Sequence, residues 1–414
     1  MLPEGFLKSI ASLPDVDVEA FTKAMNLPPA VSLKLNRRKC CNVSELGYGE
    51  LNPVKWSASG FYLDERPQFT INPLLHAGVF YVQDASSMIY ETIVANLLSR
   101  KIIPENPLVA DLCAAPGGKT TSIINALDDS ATVIANEFDS KRALILKENL
   151  LKWGFPNIVV TNNNTSRFAE ACSDSFDLVA VDAPCSGEGM MRKEEIAVSQ
   201  WNPGLVRKCA SLQREIISDA VAALRPGGCL IYSTCTFNLQ ENEENVEWMI
   251  KQFGLQPIDM EFPAEWGVGK SLIPGVPAMR FMPHITRGEG LFVAVLRRPG
   301  EYERVSIDFL RKSVAKKMRV ILDGIPHFNR KGKIEIPASE WTLSTNFPRM
   351  EYPSVDVDLE SALSYLRHEA IRLDENAPRG FVVITYKGHP LGLVKNIGNR
   401  ANNLFPSSWK IRYL

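Results

Sequence analysis

The stretch Asp111-Leu112-Cys113-Ala114-Ala115-Pro116-Gly117-Gly118-Lys119-Thr120 decides how this chain folds. It overlaps an apolar run, 108–112, that reads as a buried strand, and it opens a helical pattern over 118–127. Strand, Gly-rich turn and helix in that order begin an open α/β sheet whose first turn lets backbone amides approach a nucleoside closely. A Walker A phosphate loop is excluded by spacing, because its leading glycine would fall on Cys113. The alternation continues downstream, with strands over 132–137, 158–161, 176–182 and 229–234 and helices over 140–153, 203–224 and 240–253. Two last strands, around 280–283 and 291–298, are joined through Arg287-Gly-Glu-Gly and read as an antiparallel hairpin closing the sheet.

In such a sheet the ligand sits at the carboxyl ends of the strands. That rule gathers Cys113 to Lys119, Glu137, Asp182, Cys185 and Cys235 into one crevice from distant parts of the chain. Glu137 follows Asp111 by 26 residues, close to the spacing of an acid that accepts hydrogen bonds from ribose hydroxyls. Cys185, in Asp182-Ala-Pro-Cys-Ser-Gly-Glu, and Cys235, in Tyr232-Ser-Thr-Cys-Thr, each end a strand on this edge. A lone cysteine there is usually an inert small hydrophobe. Two on one edge, with an acid three residues before the first, fit a reaction. A thiolate that adds to C6 of cytosine makes C5 nucleophilic, and the charge arising at N3 needs a proton or hydrogen bond from an acid such as Asp182. A second thiol beside the first can assist the later elimination. Cys113 reads as packing beneath the cofactor, and the other five cysteines have no partner that would single them out.

At 414 residues with 45% apolar content, two or three domains are expected. No apolar run approaches a membrane span and the N-terminus lacks a signal-peptide pattern, so a cytoplasmic protein with no membrane partner is expected. The eight cysteines lack metal-ligand or disulfide spacing, and no metal is expected. Net charge is −1, which argues against an overall basic nucleic-acid protein, but residues 301–414 carry 18 Lys and Arg against 13 Asp and Glu, a local +5. A basic helix over 311–322, a helix over 359–372 and a strand-turn-strand pattern over 380–395 are expected there. The chain divides into a small N-terminal unit (1–70), a catalytic α/β unit (71–300) and a C-terminal unit (301–414).

The motifs Asp111-Leu-Cys-Ala-Ala-Pro-Gly-Gly-Lys-Thr, Asp182-Ala-Pro-Cys-Ser-Gly-Glu-Gly, Ser233-Thr-Cys-Thr and Pro283-His284 with Gly288-Glu-Gly-Leu-Phe-Val-Ala resemble those of the Sun-type RNA (cytosine-5) methyltransferases, over about residues 75–298. The resemblance implies a Rossmann-like class I methyltransferase domain with S-adenosylmethionine held by Cys113, Ala114, Ala115, Pro116, Gly117, Gly118, Lys119 and Glu137. It further implies that Asp182 contacts base and cofactor, that Cys235 is the nucleophile and that Cys185 promotes product release. Where the family usually places an acid for the adenine amino group, this chain has Asn164, whose amide oxygen can still accept.

The flanking stretches Leu2-Pro-Glu-Gly-Phe, Ser32-Leu-Lys-Leu-Asn-Arg-Arg-Lys, Gly388-His-Pro-Leu-Gly-Leu-Val-Lys and Asn403-Leu-Phe-Pro are similar to those of bacterial RsmF-type 16S rRNA methyltransferases. That likeness implies a small N-terminal α+β domain and a C-terminal PUA-like domain that bind RNA, 16S rRNA or the small subunit being the partner of a monomeric enzyme. A transfer-RNA cytosine-5 methyltransferase and a non-catalytic RNA-binding assembly factor are the alternatives. Arg37, Arg38, Lys39, Lys316, Lys317 and Arg319 are phosphate-contact candidates, although exposed basic residues are more often solvated faces. Phe328, Trp341 and Phe347 read as core.

Overall fold

The computed structural model describes residues 2–301, 304–331 and 334–412. Five parallel strands, β1 (Leu108–Asp111), β2 (Thr132–Asn136), β3 (Ile158–Thr161), β4 (Phe176–Asp182) and β5 (Leu224–Thr234), make the middle of a ten-stranded sheet in the order β3-β2-β1-β4-β5. Every position of β1, β2 and β3 is buried, as expected of strands covered on both faces. The strand order reverses between β1 and β4, so the crevice opens there. Helices α1 (Gly118–Ala126), α2 (Ser140–Trp153), α3 (Pro203–Ala223) and α4 (Glu243–Phe253) lie between the strands or after β5. Strands β6 (Met279–Phe281) and β7 (Leu291–Arg297) form the expected antiparallel pair, with β7 against β5.

Local chemistry sets the helix ends. Asp139 caps α2 by accepting from the backbone N–H groups of Lys141 and Arg142, both at 2.9 Å. The helix stops at Gly154, where φ is +83° and a Cβ would meet the Leu343 carbonyl oxygen at 2.1 Å. Glycine there both ends the helix and lets the C-terminal part of the chain close onto it.

Four expectations need correction. The helix expected from 240 begins at Glu243, because the side chains of Asn238, Glu241 and Asn242 are drawn into buried hydrogen bonds with the strand-end loops. Strand β5 starts at Leu224 rather than 229, and its register against β4 breaks between Leu224 and Cys229, where Pro226-Gly227-Gly228 intervene. The basic stretch is a helix, α5 (Ile307–Lys317), followed by a strand, β8 (Val320–Asp323), rather than one helix to 322. The apolar run Val320-Ile321-Leu322 pairs antiparallel with the open edge of β3. The helix from 359 ends at Leu366 instead of 372: His368 takes a left-handed φ of 64° and Asn403 Nδ2 donates to the Tyr365 carbonyl at 2.8 Å.

The N-terminal part holds a four-stranded antiparallel sheet in the order Asn52–Pro53, Gly60–Leu63, Val31–Leu35, Phe80–Val82. The C-terminal part holds a mixed four-stranded sheet in the order Ser354–Asp356, Gly380–Tyr386, His389–Asn396, Ala401–Asn403, its first pair parallel and the other two antiparallel. The N-terminal sheet takes a strand from past residue 70, and the central sheet takes β8 from past residue 300. Leu310 and Val314 of α5 share the core cluster of β4 and β5, so deleting everything after 300 would strip an edge strand and core side chains from the central unit.

Several expected phosphate contacts are instead structural. Lys39 is half-buried, its Nζ donating to the carbonyls of Ala77 (2.8 Å) and Lys152 (2.6 Å). Arg38 donates to the Ile124 carbonyl and pairs with Asp129, and Arg37 pairs with Glu91 at 3.5 Å. Lys316, Lys317 and Arg319 are exposed. Phe347 is buried as expected, whereas Phe328 is half-exposed against Trp341.

Candidate active site

The Gly-rich turn is held by its carbonyls. Arg142 Nη2 donates to Ala115 O at 2.7 Å, Asn149 Nδ2 to Pro116 O at 2.8 Å, and the fully buried Lys34 Nζ to Gly118 O at 2.6 Å. At Gly117, φ is +110° and a Cβ would press on Leu146 at 3.3 Å, so only glycine suits the entry to α1. Ala114 and Ala115 are buried beside it, and Pro116 is exposed. Cys113 is partly exposed, and burial together with the carboxylates of Asp111, Asp182 and Glu137 pushes its thiol pKa well up, which keeps it an inert thiol.

Glu137 lies immediately after β2 with its side chain almost covered. One oxygen accepts from the Asp139 N–H at 2.9 Å, and the other lies 3.4 Å from Arg142 Nη1. Arg142 thus links this carboxylate to the Ala115 carbonyl. Asn164 is exposed beyond β3, its Oδ1 accepting weakly from the Ser166 N–H at 3.2 Å. Two residues here escaped the sequence reading. Asn136 is fully buried and donates to the carbonyls of Leu112 and Asn163, tying the loops after β1 and β3 together. Phe138 is 71% exposed beside Glu137, an apolar ring left bare at the edge where a nucleoside is expected. The signal for Phe138 was its place directly after the ribose acid.

On the other side of the switch point, Asp182 ends β4. Its Oδ2 accepts from Lys119 Nζ at 2.8 Å and its Oδ1 from Ser233 Oγ at 2.7 Å; Ser233 in turn accepts from the buried Tyr90 hydroxyl at 2.8 Å. Burial works against the Lys119 ammonium, but the Asp182 carboxylate more than offsets it, so the lysine pKa is raised and the charge is retained. Ser233 and Tyr90 also went unseen in sequence, because nothing in the spacing marks a hydroxyl as a carboxylate's support.

The two strand-end thiols meet. Cys185 Sγ and Cys235 Sγ are 3.2 Å apart, both partly exposed, and free of any disulfide. The hydrogen bond with Cys235, then burial, pushes the Cys185 pKa well up, so this sulfur keeps its proton; across the 3.2 Å contact either sulfur can donate. Cys235 also lies within electrostatic reach of Lys119. By contrast Cys40, Cys172, Cys209 and Cys229 are buried singly and Cys41 is exposed singly. His284 packs edge-on to Phe21 at 5.7 Å, a seam contact. Among the described residues, no group of three His, Cys, Asp or Glu side chains is placed to hold a metal ion, and no helix is long and apolar enough to cross a membrane.

Beneath the site, Asp111 is fully buried, with Oδ2 accepting from Thr120 Oγ1 at 2.6 Å and Oδ1 without a side-chain or backbone partner among the described residues. Burial raises its pKa to about 7. An acid with a raised folded-state value stabilises the fold fully below its unfolded value, near 4, and loses that contribution as pH rises through about 7. Between pH 4 and 8 the protein is therefore expected to lose on the order of 3 kcal/mol relative to Asp111→Asn. Urea unfolding of both proteins at the two pH values checks this; parallel profiles would contradict it.

Comparison with known proteins extends over most of the chain. Residues 102–297 match the family described as 16S rRNA methyltransferase RsmB/F, residues 2–85 the N-terminal domain of 16S rRNA methyltransferase RsmF, and residues 352–411 the methyltransferase RsmF PUA domain. The chain is 30% identical to Ribosomal RNA small subunit methyltransferase F of Enterobacter sp. (strain 638), over 98% of this chain and 95% of that protein. It is 34% identical to the protein of the same name from Serratia proteamaculans, over 72% of this chain and 63% of that one. Among solved structures, NSun6 from Pyrococcus horikoshii with SFG shares the fold, with a TM-score of 0.60 and 20% identity over 72% of this chain and 99% of that one. A methyltransferase homolog from Pyrococcus horikoshii gives a TM-score of 0.57 and 24% identity over 72% of this chain and all of that one.

Proposed function

The chain belongs to the 16S rRNA methyltransferase RsmB/F family, and from that premise we propose that it forms 5-methylcytosine in 16S rRNA of the small ribosomal subunit, in the cytoplasm, with S-adenosylmethionine as cofactor. The observation that carries the reading is the pair of thiols 3.2 Å apart beside the Lys119–Asp182 ion pair.

The residues at the crevice fit a nucleoside cofactor. Glu137 offers carboxylate oxygens to ribose hydroxyls, the bare Phe138 ring offers a face to adenine, and Asn164 an amide oxygen to its amino group. The Gly117-Gly118 turn leaves room for the remainder. The structure of NSun6 was solved with SFG, an S-adenosylmethionine analogue, which supports the same class of ligand here. Bound there, S-adenosylmethionine supplies the electrophilic methyl group. Glu137→Ala removes charge-assisted hydrogen bonds and is expected to weaken binding by about 1.5–3 kcal/mol, roughly ten- to hundredfold in Kd. Calorimetry with S-adenosylmethionine reads this directly, and unchanged affinity would sink the ribose assignment.

Cys235 Sγ, its own proton given up to water, adds to C6 of the cytosine as a thiolate beside the Cys185 S–H, and as the C6–Sγ bond forms the π pair of the C5=C6 bond shifts to C5. The Lys119 ammonium, held in place by Asp182, brings positive charge to N3, and Asp182, with one hydrogen bond on each oxygen, keeps acceptor capacity for the base. Once C5 carries the methyl group, its proton passes to water, the pair closes C5=C6, and the C6–Sγ bond breaks. The sulfur leaves as a thiolate towards the waiting S–H of Cys185, which restores the starting pair. The N-terminal and PUA units, on this reading, hold the RNA. Transfer of tritiated methyl groups to 16S rRNA, to assembled small subunits and to transfer RNA tests the substrate. Incorporation into transfer RNA alone would replace the ribosomal reading, and none into any RNA would favour an assembly factor.

A further inference from the structure

Two fully buried carboxylates cross between the cysteine loops, and the chemistry above uses neither. Glu188 follows Cys185 by three residues, yet its partners belong mainly to the other loop. Its Oε2 accepts from Thr236 Oγ1 at 2.5 Å, the Phe237 N–H at 2.7 Å and the Asn238 N–H at 3.1 Å. Its Oε1 accepts from Asn238 Nδ2 and Trp201 Nε1, both at 3.1 Å. Glu241, six residues after Cys235, reaches the opposite way. Its Oε2 accepts from the Ser186 N–H at 2.9 Å and Gln213 Nε2 at 2.8 Å, and its Oε1 from Asn238 Nδ2 at 2.8 Å and from Ser186 Oγ.

Each carboxylate therefore holds the residues that directly follow the other loop's cysteine. Asn238 touches both, and the Gly189 N–H donates to the Cys235 carbonyl at 2.8 Å, closing the arrangement. Both carboxylates are fully buried. Burying a carboxylate is strongly unfavourable unless donors satisfy it, and apolar side chains would pack the same space at less cost. What packing alone would not supply is a fixed position for two loops whose sulfurs must stay in contact while one of them bonds to and leaves a base.

We infer that Glu188 and Glu241 are positioning residues acting on different steps: Glu188 aims Cys235 at C6, and Glu241 aims the Cys185 S–H at the departing sulfur. The inference rests on the roles proposed above for Cys235 and Cys185. Glu188→Gln and Glu241→Gln keep the side-chain shape but turn an amide NH2 towards donors, so each loosens one grip. With labelled 16S rRNA and S-adenosylmethionine on a denaturing gel, E241Q is expected to add and methylate but to release slowly, its RNA-linked form persisting about a hundredfold longer than in the wild type. E188Q is expected to lose adduct and product together, kcat falling by a similar factor at unchanged KM. Adduct and product falling in parallel in both variants, or wild-type behaviour in both, would overturn the inference. If E241Q fails to bind S-adenosylmethionine by calorimetry, and so has not folded, Ser186→Ala removes one donor to Glu241 and carries the test at smaller amplitude; an unchanged adduct lifetime there would likewise overturn it. Cys185→Ala and Cys235→Ala on the same gel report the underlying roles: if they divide as proposed and the glutamine variants do not, the positioning inference alone fails.

Discussion

Cys235→Ala is expected to abolish methyl transfer, by roughly 10⁴-fold or more, and to leave no RNA-linked protein, whereas Cys185→Ala still adds to the base, accepts the methyl group and stalls as a covalent complex. The asymmetry follows from the positions of the two sulfurs. Cys235 supplies the bond that activates C5, so its loss leaves nothing to trap. Cys185 is the sulfur held protonated, 3.2 Å from its neighbour, and its S–H is the group a departing thiolate meets. Removing it leaves addition possible and slows only the exit. A denaturing gel with labelled RNA separates the outcomes, and a trapped complex in the Cys235 variant but not in the Cys185 variant would reverse the roles.

Lys119→Met carries the second large effect. The lysine ammonium lies within electrostatic reach of Cys235, and the carboxylate at 2.8 Å keeps it protonated and oriented. Its loss removes the charge that stabilises the developing anion on the ring, and losing one such preorganised donor costs about 10²–10³-fold in kcat. Adduct formation should fall with kcat, because the stabilisation is needed at the addition step. Single-turnover methyl transfer with saturating S-adenosylmethionine measures this; a variant within tenfold of the wild type would remove Lys119 from the chemistry.

Much of the central unit was legible in the sequence because period and punctuation agree there. The stretch 140–153 begins after an Asp cap and ends at Gly154, and its helix has those limits. The runs 158–161 and 176–182 are apolar and short, and both are strands as read. What could not be read depends on contacts from afar. Val320–Asp323 continues a helical pattern locally, and only the open edge of β3 makes it a strand. Arg38 and Lys39 look like a basic patch in one dimension, but their partners are carbonyls of Ile124, Ala77 and Lys152. At the site, the edge rule brought Lys119, Asp182, Cys185 and Cys235 together correctly in space. It could not show that each oxygen of Asp182 accepts a hydrogen bond, because Ser233 and Tyr90 are supports supplied by other elements.

The covalent bond between Cys235 and C6 is the centre of the account. A 16S rRNA fragment bearing 5-fluorocytosine at the modified position blocks the final elimination, because fluorine cannot leave C5 as a proton does. After incubation with the protein and S-adenosylmethionine, digestion and mass spectrometry of the cross-linked peptide should place the nucleotide on Cys235, with one methyl group added to the base. A nucleotide on Cys185, or a fully methylated product with no protein-linked species at any time, would contradict it.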